Sequence, residues 1–315
     1  MKILTRAEAA GFLLSHDNIA ILTHRRPDGD TVGSAAALCL GLRQLGKKAW
    51  VLSNPEVPQR FAFLLEGITK ETAEETDTVV SVDVASAGML PKCFEIYQDR
   101  VALRIDHHRS STSFSEEELV DGDSASCAEL VCDVLTILGI QMDQAIATAV
   151  YVGTSTDTGC FRFANTTAHS FMIAAICAQA GAPIHKLNQE LFETNTLSKL
   201  RLQAWMIDHL DVFADGKLAI VAIPRAVEEL LGVTDDDVDN ISSFPRTVAG
   251  VCMAATLRQS KTGETKISVR SVPGYDSSAV TAKFGGGGHK GAAGATTSLS
   301  LEEAEKAVKA AMLEA

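Results

Sequence analysis

The sequence predicts an α/β protein in two parts. An N-terminal, mostly parallel sheet with helices on both faces is followed by a helical linker and a smaller C-terminal α/β domain. Three observations carry this prediction. Short apolar runs recur through the first half, each breaking off into a polar loop, as buried parallel strands do. Helical stretches with apolar residues three and four apart lie between them. A continuous helical pattern then leads into a second set of strands. The expected boundaries are 1–195 for the first domain, 196–211 for the linker and 212–315 for the second domain.

The elements follow in order. Asn18–Thr23 (NIAILT) reads as a strand that breaks into the loop HRRPDGD. Ala35, Leu38, Leu42 and Leu45 lie at helical spacing, and Gly46 is the stop signal. Lys48–Leu52, Thr78–Val84 and Val101–Ile105 read as further strands, and Ala125–Leu138, Gln144–Val152 and Ala168–Ala180 as helices. Leu197–Leu210 (LSKLRLQAWMIDHL) reads as the connecting helix. Beyond it, Leu218–Ile223, Val248–Arg258 and Lys266–Ser271 read as strands and Asp276–Phe284 as a helix. A glycine run, a small strand at Ala293–Thr297 and a terminal helix at Leu301–Ala315 complete the pattern, while the acidic run Asp235–Asp239 reads as a solvated loop.

Composition narrows the function. The formal net charge of −12 speaks against gripping long duplex DNA, since that affinity comes from Lys and Arg neutralising phosphates. A short oligonucleotide or a nucleotide at a locally basic pocket stays open. The seven cysteines form no CxxC pair and fall in apolar segments, as reduced, buried thiols do. The N-terminus lacks the pattern of a signal peptide, and no apolar run is long enough to span a bilayer. The expectation is a cytoplasmic protein without membrane contact.

Chemistry concentrates in four segments. His24-Arg25-Arg26-Pro27-Asp28-Gly29-Asp30 lies where the first strand ends, and Pro27 and Gly29 turn the chain so that one imidazole and two carboxylates face together. A polar loop with Asp30 capping the following helix is the bland alternative. Asp83 ends the run TVVSV, where an N-cap is again the plain explanation. Asp106-His107-His108 follows VALRI directly, and packing does not account for three ionisable residues in a row. Asp157 stands in Gly153–Phe163, read as a hydroxyl-rich loop that ends a helical stretch. Together His24, Asp28, Asp30, Asp83, His107 and Asp157 offer six nitrogen and oxygen ligands and no thiolate. That set suits two divalent cations, Mn²⁺ before Mg²⁺, Co²⁺ or Fe²⁺. Two cations also relieve the repulsion of four carboxylates gathered in one place.

In the second half, Gly285, Gly286, Gly287 and Gly288 leave a backbone that a phosphate or nucleobase can approach closely. His289 and Lys290 add charge or hydrogen bonding, and Arg270, beside Ser271, offers a fork for a phosphate or carboxylate. A flexible turn after a helix end is the bland reading of the glycines.

The order HRRPDGDTVGS, VDVAS, DHH and TDTGCFRF resembles the DHH phosphoesterase family, and ISVRS with FGGGGHKGAAG resembles the DHHA1 domain that accompanies one of its branches. The resemblance covers nearly the whole chain and is nearest to nanoRNase and pAp-phosphatase proteins. It implies that His24, Asp28 and Asp83 hold one metal, and that Asp30, Asp83, His107 and Asp157 hold the other, with Asp83 bridging. It implies that His108, Asp83 and Asp106 form the catalytic set, Asp106 orienting the imidazoles and His108 facing the scissile phosphate. It implies that Arg270, Ser271, the four glycines, His289 and Lys290 bind the substrate, and that the chain acts as a homodimer on short RNA or pAp. Cyclic di-AMP or pApA hydrolysis is the nearest alternative, and a non-catalytic nucleotide sensor is the alternative from another class. The segment GGGGHKGAAG argues against an inorganic pyrophosphatase of similar N-terminal motifs.

Overall fold

The computed structural model describes residues 2–238 and 241–315, and the chain divides into two units between Thr194 and Asn195. The first unit contains the strands β1 (Lys2–Ile3), β2 (Ile19–Leu22), β3 (Ala49–Leu52), β4 (Thr69–Lys70), β5 (Thr78–Val82), β6 (Val101–Asp106) and β7 (Glu117–Val120). They lie in the order β1-β7-β6-β5-β2-β3-β4, every pairing parallel. Its α-helices are α1 (Arg6–Ser15), α2 (Gly29–Gln44), α3 (Cys127–Ile137), α4 (Gln144–Asp157), α5 (Ala168–Gln179) and α6 (Ile184–Asn188).

Alternation along the strands explains the layering. Ile19, Ile21, Val51, Val80, Leu103 and Ile105 are buried on one face in a single core with residues of α1 to α4. Ala20, Leu22, Leu52 and Val79 point to the other face, covered by Phe94 and Tyr97. That second cover consists of two 3₁₀ turns, Ala87–Met89 and Lys92–Arg100, rather than α-helices. Pro91 stands between them, and a residue with no N–H and a fixed φ divides what could otherwise become one helix.

From β2 the chain moves outward through β3 and β4. It then returns to the other side of β2 as β5 and moves outward again through β6 and β7. Loops leaving β2 and β5 therefore part in opposite directions and open a crevice at the carboxyl ends of the strands, where open α/β sheets bind ligands.

Two of the bland alternatives fail in this unit, and one expectation needs correction. Helix α2 starts at Gly29, with Asp28 as its N-cap accepting from the Asp30 and Thr31 N–H groups; Asp30 does not cap it. Asp83 caps no α-helix, for its φ of 59° lies in the left-handed region. The segment Gly153–Asp157 is no loop but the last turn of α4. Its hydroxyls fold back on helix carbonyls, Thr156 Oγ1 donating to Val152 O at 2.8 Å and Thr158 Oγ1 to Thr154 O at 2.6 Å, so a Ser/Thr-rich stretch stays helical.

The second unit contains α7 (Leu197–Asp208), β8 (Asp211–Phe213), β9 (Leu218–Ile223), α8 (Arg225–Leu230), β10 (Met253–Gln259), β11 (Thr265–Ser271), α9 (Ser277–Ala282), β12 (Gly287–His289), β13 (Ala292–Thr297) and α10 (Leu301–Leu313). Its sheet runs β12-β13-β11-β10-β9-β8, parallel only between β9 and β10. Val280 of α9 and Ala304, Val308, Ala311 and Met312 of α10 bury one face of this sheet. Leu202 and Met206 of α7, read from sequence as the connector, bury the other face with Val221, Ile223 and Ile241.

The strand expected from Val248 begins only at Met253, because Gly250 turns the chain with a φ of 88°. The acidic run is not wholly solvated. Asp237 is buried and accepts hydrogen bonds from Thr196 Oγ1 and from Thr234 N at 2.8 Å, while Asp239 lies outside the described residues. Among the described residues, no helix is long and apolar enough to cross a membrane.

Candidate metal centre

The six predicted ligand residues come together at the crevice. His24 lies two residues past β2, and Asn54 pins the strand end by donating to Thr23 Oγ1 at 3.0 Å and to His24 O at 2.9 Å. His24 Nδ1 is 2.7 Å from Arg25 O, so Nδ1 carries the proton and donates it, leaving Nε2 for the cluster. His107 follows β6 and makes the same kind of contact, Nδ1 lying 3.3 Å from Ser124 O. Backbone carbonyls thereby select the Nε2-ligating tautomer of both rings.

The carboxylates are held from several elements. Asp30 is fully buried, and its Oδ2 and Oδ1 accept from the N–H groups of Cys127 (2.6 Å) and Ala128 (2.9 Å), with Ser34 Oγ at 3.2 Å. Those N–H groups are the open N-terminus of α3, so the helix dipole offsets part of the burial of this charge. Asp83 follows β5, with Thr31 Oγ1 donating to its Oδ2 at 2.6 Å, and its left-handed backbone is the kind of strain that gathers at functional sites. Asp157 ends α4. Gly33 and Gly153 let α2 and α4 cross closely: a Cβ on Gly33 would lie 2.4 Å from Ala149 O, and one on Gly153 would lie 2.9 Å from Asp30 Oδ1.

Separations within the cluster are informative. His24 Nε2 is 3.7 Å from Asp83 Oδ2 and 3.9 Å from Asp28 Oδ1. His107 Nε2 is 3.4 Å from Asp83 Oδ1, 3.4 Å from Asp157 Oδ2 and 3.6 Å from Asp30 Oδ2. These distances are long for hydrogen bonds. They match the ~3–4 Å expected between neighbouring ligand atoms about one cation with bonds of ~2.0–2.2 Å. Asp83 Oδ1 is buried and has no hydrogen-bond partner, which a native protein rarely tolerates without an ion or water. Groups able to hold a metal ion are His24–Asp28–Asp83, Asp30–His107–Asp157 and Asp83–His107–His108. In the last, His108 Nδ1 is already 2.7 Å from Asp106 Oδ1, which removes it as a ligand atom. The donor set therefore fits two cations, with Asp83 turning one oxygen toward each of the first two groups.

Electrostatics point the same way. Burial lowers the His24 imidazole, but Asp83 and Asp28 outweigh it and hold it up at about 9. Burial likewise opposes charge on His107, yet Asp83, Asp30 and Asp157 raise it to about 11. Burial pushes Asp157 up to about 7, aided by Asp83 and Asp28 and resisted by His107. Burial and the neighbouring Asp83 and Asp157 carboxylates also drive Asp30 well above the usual carboxylate range. Asp83 moves the other way: burial favours its proton, but His107 and His24 outweigh it and hold it down. Without cations, protons on the imidazoles do the balancing.

Asp106 was expected to orient both imidazoles, but of the two it reaches only His108, through Nδ1 at 2.7 Å and the backbone N–H at 3.3 Å. Residues that sequence reasoning passed over are Thr31, Ser34, Ser124 and Arg104. Thr31 and Ser34 carried a signal, since both lie one helical turn beyond a candidate ligand aspartate. Ser124 acts through its backbone and had none.

In the second unit, Arg270 pairs with Ala292 across β11 and β13, and His289 pairs with Ala292 across β12 and β13, so both stand in one row of the sheet. Arg270 Nη1 donates to Val269 O, and the half-buried guanidinium is lowered by that burial. Ser271 Oγ donates to Lys290 O at 2.8 Å and accepts from Ser277 Oγ at 2.9 Å, which fixes the turn after β12. The four glycines differ. Gly285 has a φ of 72°, a Cβ on Gly286 would lie 2.2 Å from Gly294 O, and one on Gly288 would lie 2.6 Å from Ala292 O. Gly287 has open space and an ordinary φ, so the fold itself does not require it.

Residues 18–154 match the DHH family, N-terminal domain, and residues 222–314 match the DHHA1 domain. A bifunctional oligoribonuclease and PAP phosphatase NrnA of Thermus thermophilus is 32% identical over 299 residues, covering 94% of this chain and 89% of that one. The protein of the same name from Mycoplasma genitalium is 25% identical over 304 residues, covering 94% and 93%. A crystal structure of an exopolyphosphatase-related protein from Bacteroides fragilis superposes with a TM-score of 0.87 at 22% identity, covering 98% and 96%.

Proposed function

The chain belongs to the DHH family, and from that premise we propose that it is a metal-dependent phosphoesterase that hydrolyses short oligoribonucleotides to 5′-mononucleotides and pAp to AMP. The observation that carries this reading is the cluster of four carboxylates and two imidazoles, with the unpartnered Asp83 Oδ1 at its centre. Relatives named for these two activities span nearly the whole chain, which supports the same substrates here.

His24, Asp28 and Asp83 would hold one cation, and Asp30, Asp83, His107 and Asp157 the other. Nitrogen and oxygen ligands without thiolate suit Mn²⁺, with Mg²⁺, Co²⁺ and Fe²⁺ compatible. Such a pair supplies Lewis-acid polarisation of the phosphoryl oxygens and a nucleophile from water at neutral pH. The chain's own groups do the rest. With Nδ1 committed to Asp106, Nε2 is the His108 atom left to hydrogen-bond a phosphoryl oxygen as negative charge grows there. Arg270, His289 and Lys290 favour the nucleotide's anionic groups, and Gly287 leaves backbone that a ligand can approach. The homodimer that the resemblance implies has an available face on α5 of the first unit, where Phe171, Met172 and Ile176 are exposed. Free cysteines throughout suit a reducing cytoplasm.

The test is one panel: purified protein with Mn²⁺ and di- to pentaribonucleotides, pAp, pApA and cyclic di-AMP, with products resolved by chromatography. Fast release of 5′-mononucleotides from the short RNAs and of AMP from pAp is expected. Turnover of cyclic di-AMP alone would replace the substrate assignment, and turnover of none would sink the enzyme reading.

A further inference from the structure

Arg104 stands in the middle of β6 and is only 1% exposed, and among the described residues it is the bulkiest of the fully buried side chains. A guanidinium persists there only with several acceptors. Its Nη1 donates to Val84 O at 3.3 Å, Ala85 O at 3.2 Å and Asp106 Oδ2 at 3.2 Å. Its Nη2 donates to Glu118 Oε2 at 2.9 Å and Ser111 Oγ at 3.3 Å. Glu118, directly opposite on β7, is 2% exposed, and Ser113 and Ser115 hold its other oxygen at 2.6 and 3.1 Å.

One guanidinium thus grips the backbone just after Asp83, the carboxylate of Asp106 and the neighbouring strand. Asp106 is fully buried, and its two oxygens are divided: Oδ2 to Arg104, Oδ1 to His108 Nδ1. Because Arg104 fixes one oxygen, the carboxylate plane cannot turn, and Oδ1 remains at the imidazole. A carboxylate accepts only, so the proton on the ring sits at Nδ1 and Nε2 is left free.

We propose that Arg104, anchored by Glu118, is a positioning residue that acts through Asp106 to fix the orientation and tautomer of His108. This rests on the phosphoesterase reading above. The competing role is a structural post that only neutralises two buried carboxylates and has no tie to His108.

The experiment is a double-mutant cycle on the full-length protein at saturating Mn²⁺, reading kcat and KM on a diribonucleotide and metal content by mass spectrometry. Arg104→Met with Glu118→Gln removes that pair of charges together, so Glu118 is not left buried and unpaired, and Asp106 keeps the two hydrogen bonds to its Oδ1 from His108. Loss of such an outer partner is expected to lower kcat by about 10–100-fold, with KM and metal content unchanged. In a His108→Ala background the same replacement should lower kcat by less than about threefold, because its route to the substrate is already cut. Arg104→Lys, which keeps the charge but loses the fork, carries the same cycle should the double replacement fail to fold. Equal losses in both backgrounds, or a loss explained by missing metal, overturn the inference and leave the enzyme reading standing. An inactive wild type overturns both.

Discussion

Asp157→Asn should stabilise the metal-free protein while destroying its response to metal. In the folded chain, burial and the neighbouring Asp83 and Asp28 carboxylates hold Asp157 at about 7, against an ordinary value of 3.8. Between those two values the folded state keeps a proton that the unfolded chain has lost, so stability falls as pH rises from about 4 to about 7. Each pH unit in that window is worth about 1.4 kcal/mol, so the step from pH 5 to pH 8 removes about 2–3 kcal/mol through this one group. The carboxylate is 27% exposed, little enough for most of this to be felt. An asparagine feels none of it, and Asn165 keeps its bond to the Asp157 backbone carbonyl. The assay is urea unfolding in EDTA at pH 5 and pH 8. Trp50 serves as the probe of the first unit after Trp205, in the second, is replaced by Phe. The advantage of the variant over the wild type should grow by about 2–3 kcal/mol between the two pH values. With Mn²⁺ at about 100 times its Kd the wild type should gain about 2.7 kcal/mol, and the variant much less. A difference that does not change with pH, or a variant less stable than the wild type at pH 8, refutes the reasoning.

Metal binding should release protons. His24 at about 9 and His107 at about 11 are both protonated at pH 7.5 without metal and must give up the Nε2 proton to ligate, and Asp30, driven well above the usual carboxylate range, adds to the release, so titration calorimetry in buffers of differing ionisation enthalpy should show release of about two or more protons per chain; buffer-independent heats contradict this. Gly153→Ala should abolish activity while the helices remain by circular dichroism, because its Cβ would press to 2.9 Å from Asp30 Oδ1 and 2.5 Å from Ala128 Cβ. Retained wild-type kcat would show that the crossing of α2 and α4 does not set the site. The glycine run should divide. Gly287→Ala should fold normally and raise KM by about tenfold, whereas Gly286→Ala and Gly288→Ala should lower the melting temperature of the second unit, having 2.2 Å and 2.6 Å contacts to relieve. Equal behaviour of the three would remove the distinction.

Much of the site was legible because its chemistry is written in short, uninterrupted segments. Strands as apolar as NIAILT and VALRI announce themselves, and an aspartate or histidine at the end of each has a known place in a parallel sheet. What stayed hidden lacked a local pattern. β1 is two residues long, and β7 (EELV) has two charged residues, one of which, Glu118, turns inward only because Arg104 waits for it. The last turn of α4 looked like a loop because hydroxyls usually compete with the helix; here they bond back along it. The alternative to a ligand role for Asp30 was a cap on its own helix, yet its carboxylate accepts from the first N–H groups of α3, nearly a hundred residues away, a partnership that only the folded chain creates. Asp237 looked solvated because its neighbours are charged, and Thr196 and Thr234 buried it.

Asp83 would bridge the two cations. Anomalous diffraction at the manganese edge from crystals grown with Mn²⁺ tests it most directly. Two peaks are predicted, one bounded by His24, Asp28 and Asp83 Oδ2, the other by Asp83 Oδ1, Asp30, His107 and Asp157. A single peak, or peaks that leave Asp83 without a metal contact, would contradict it.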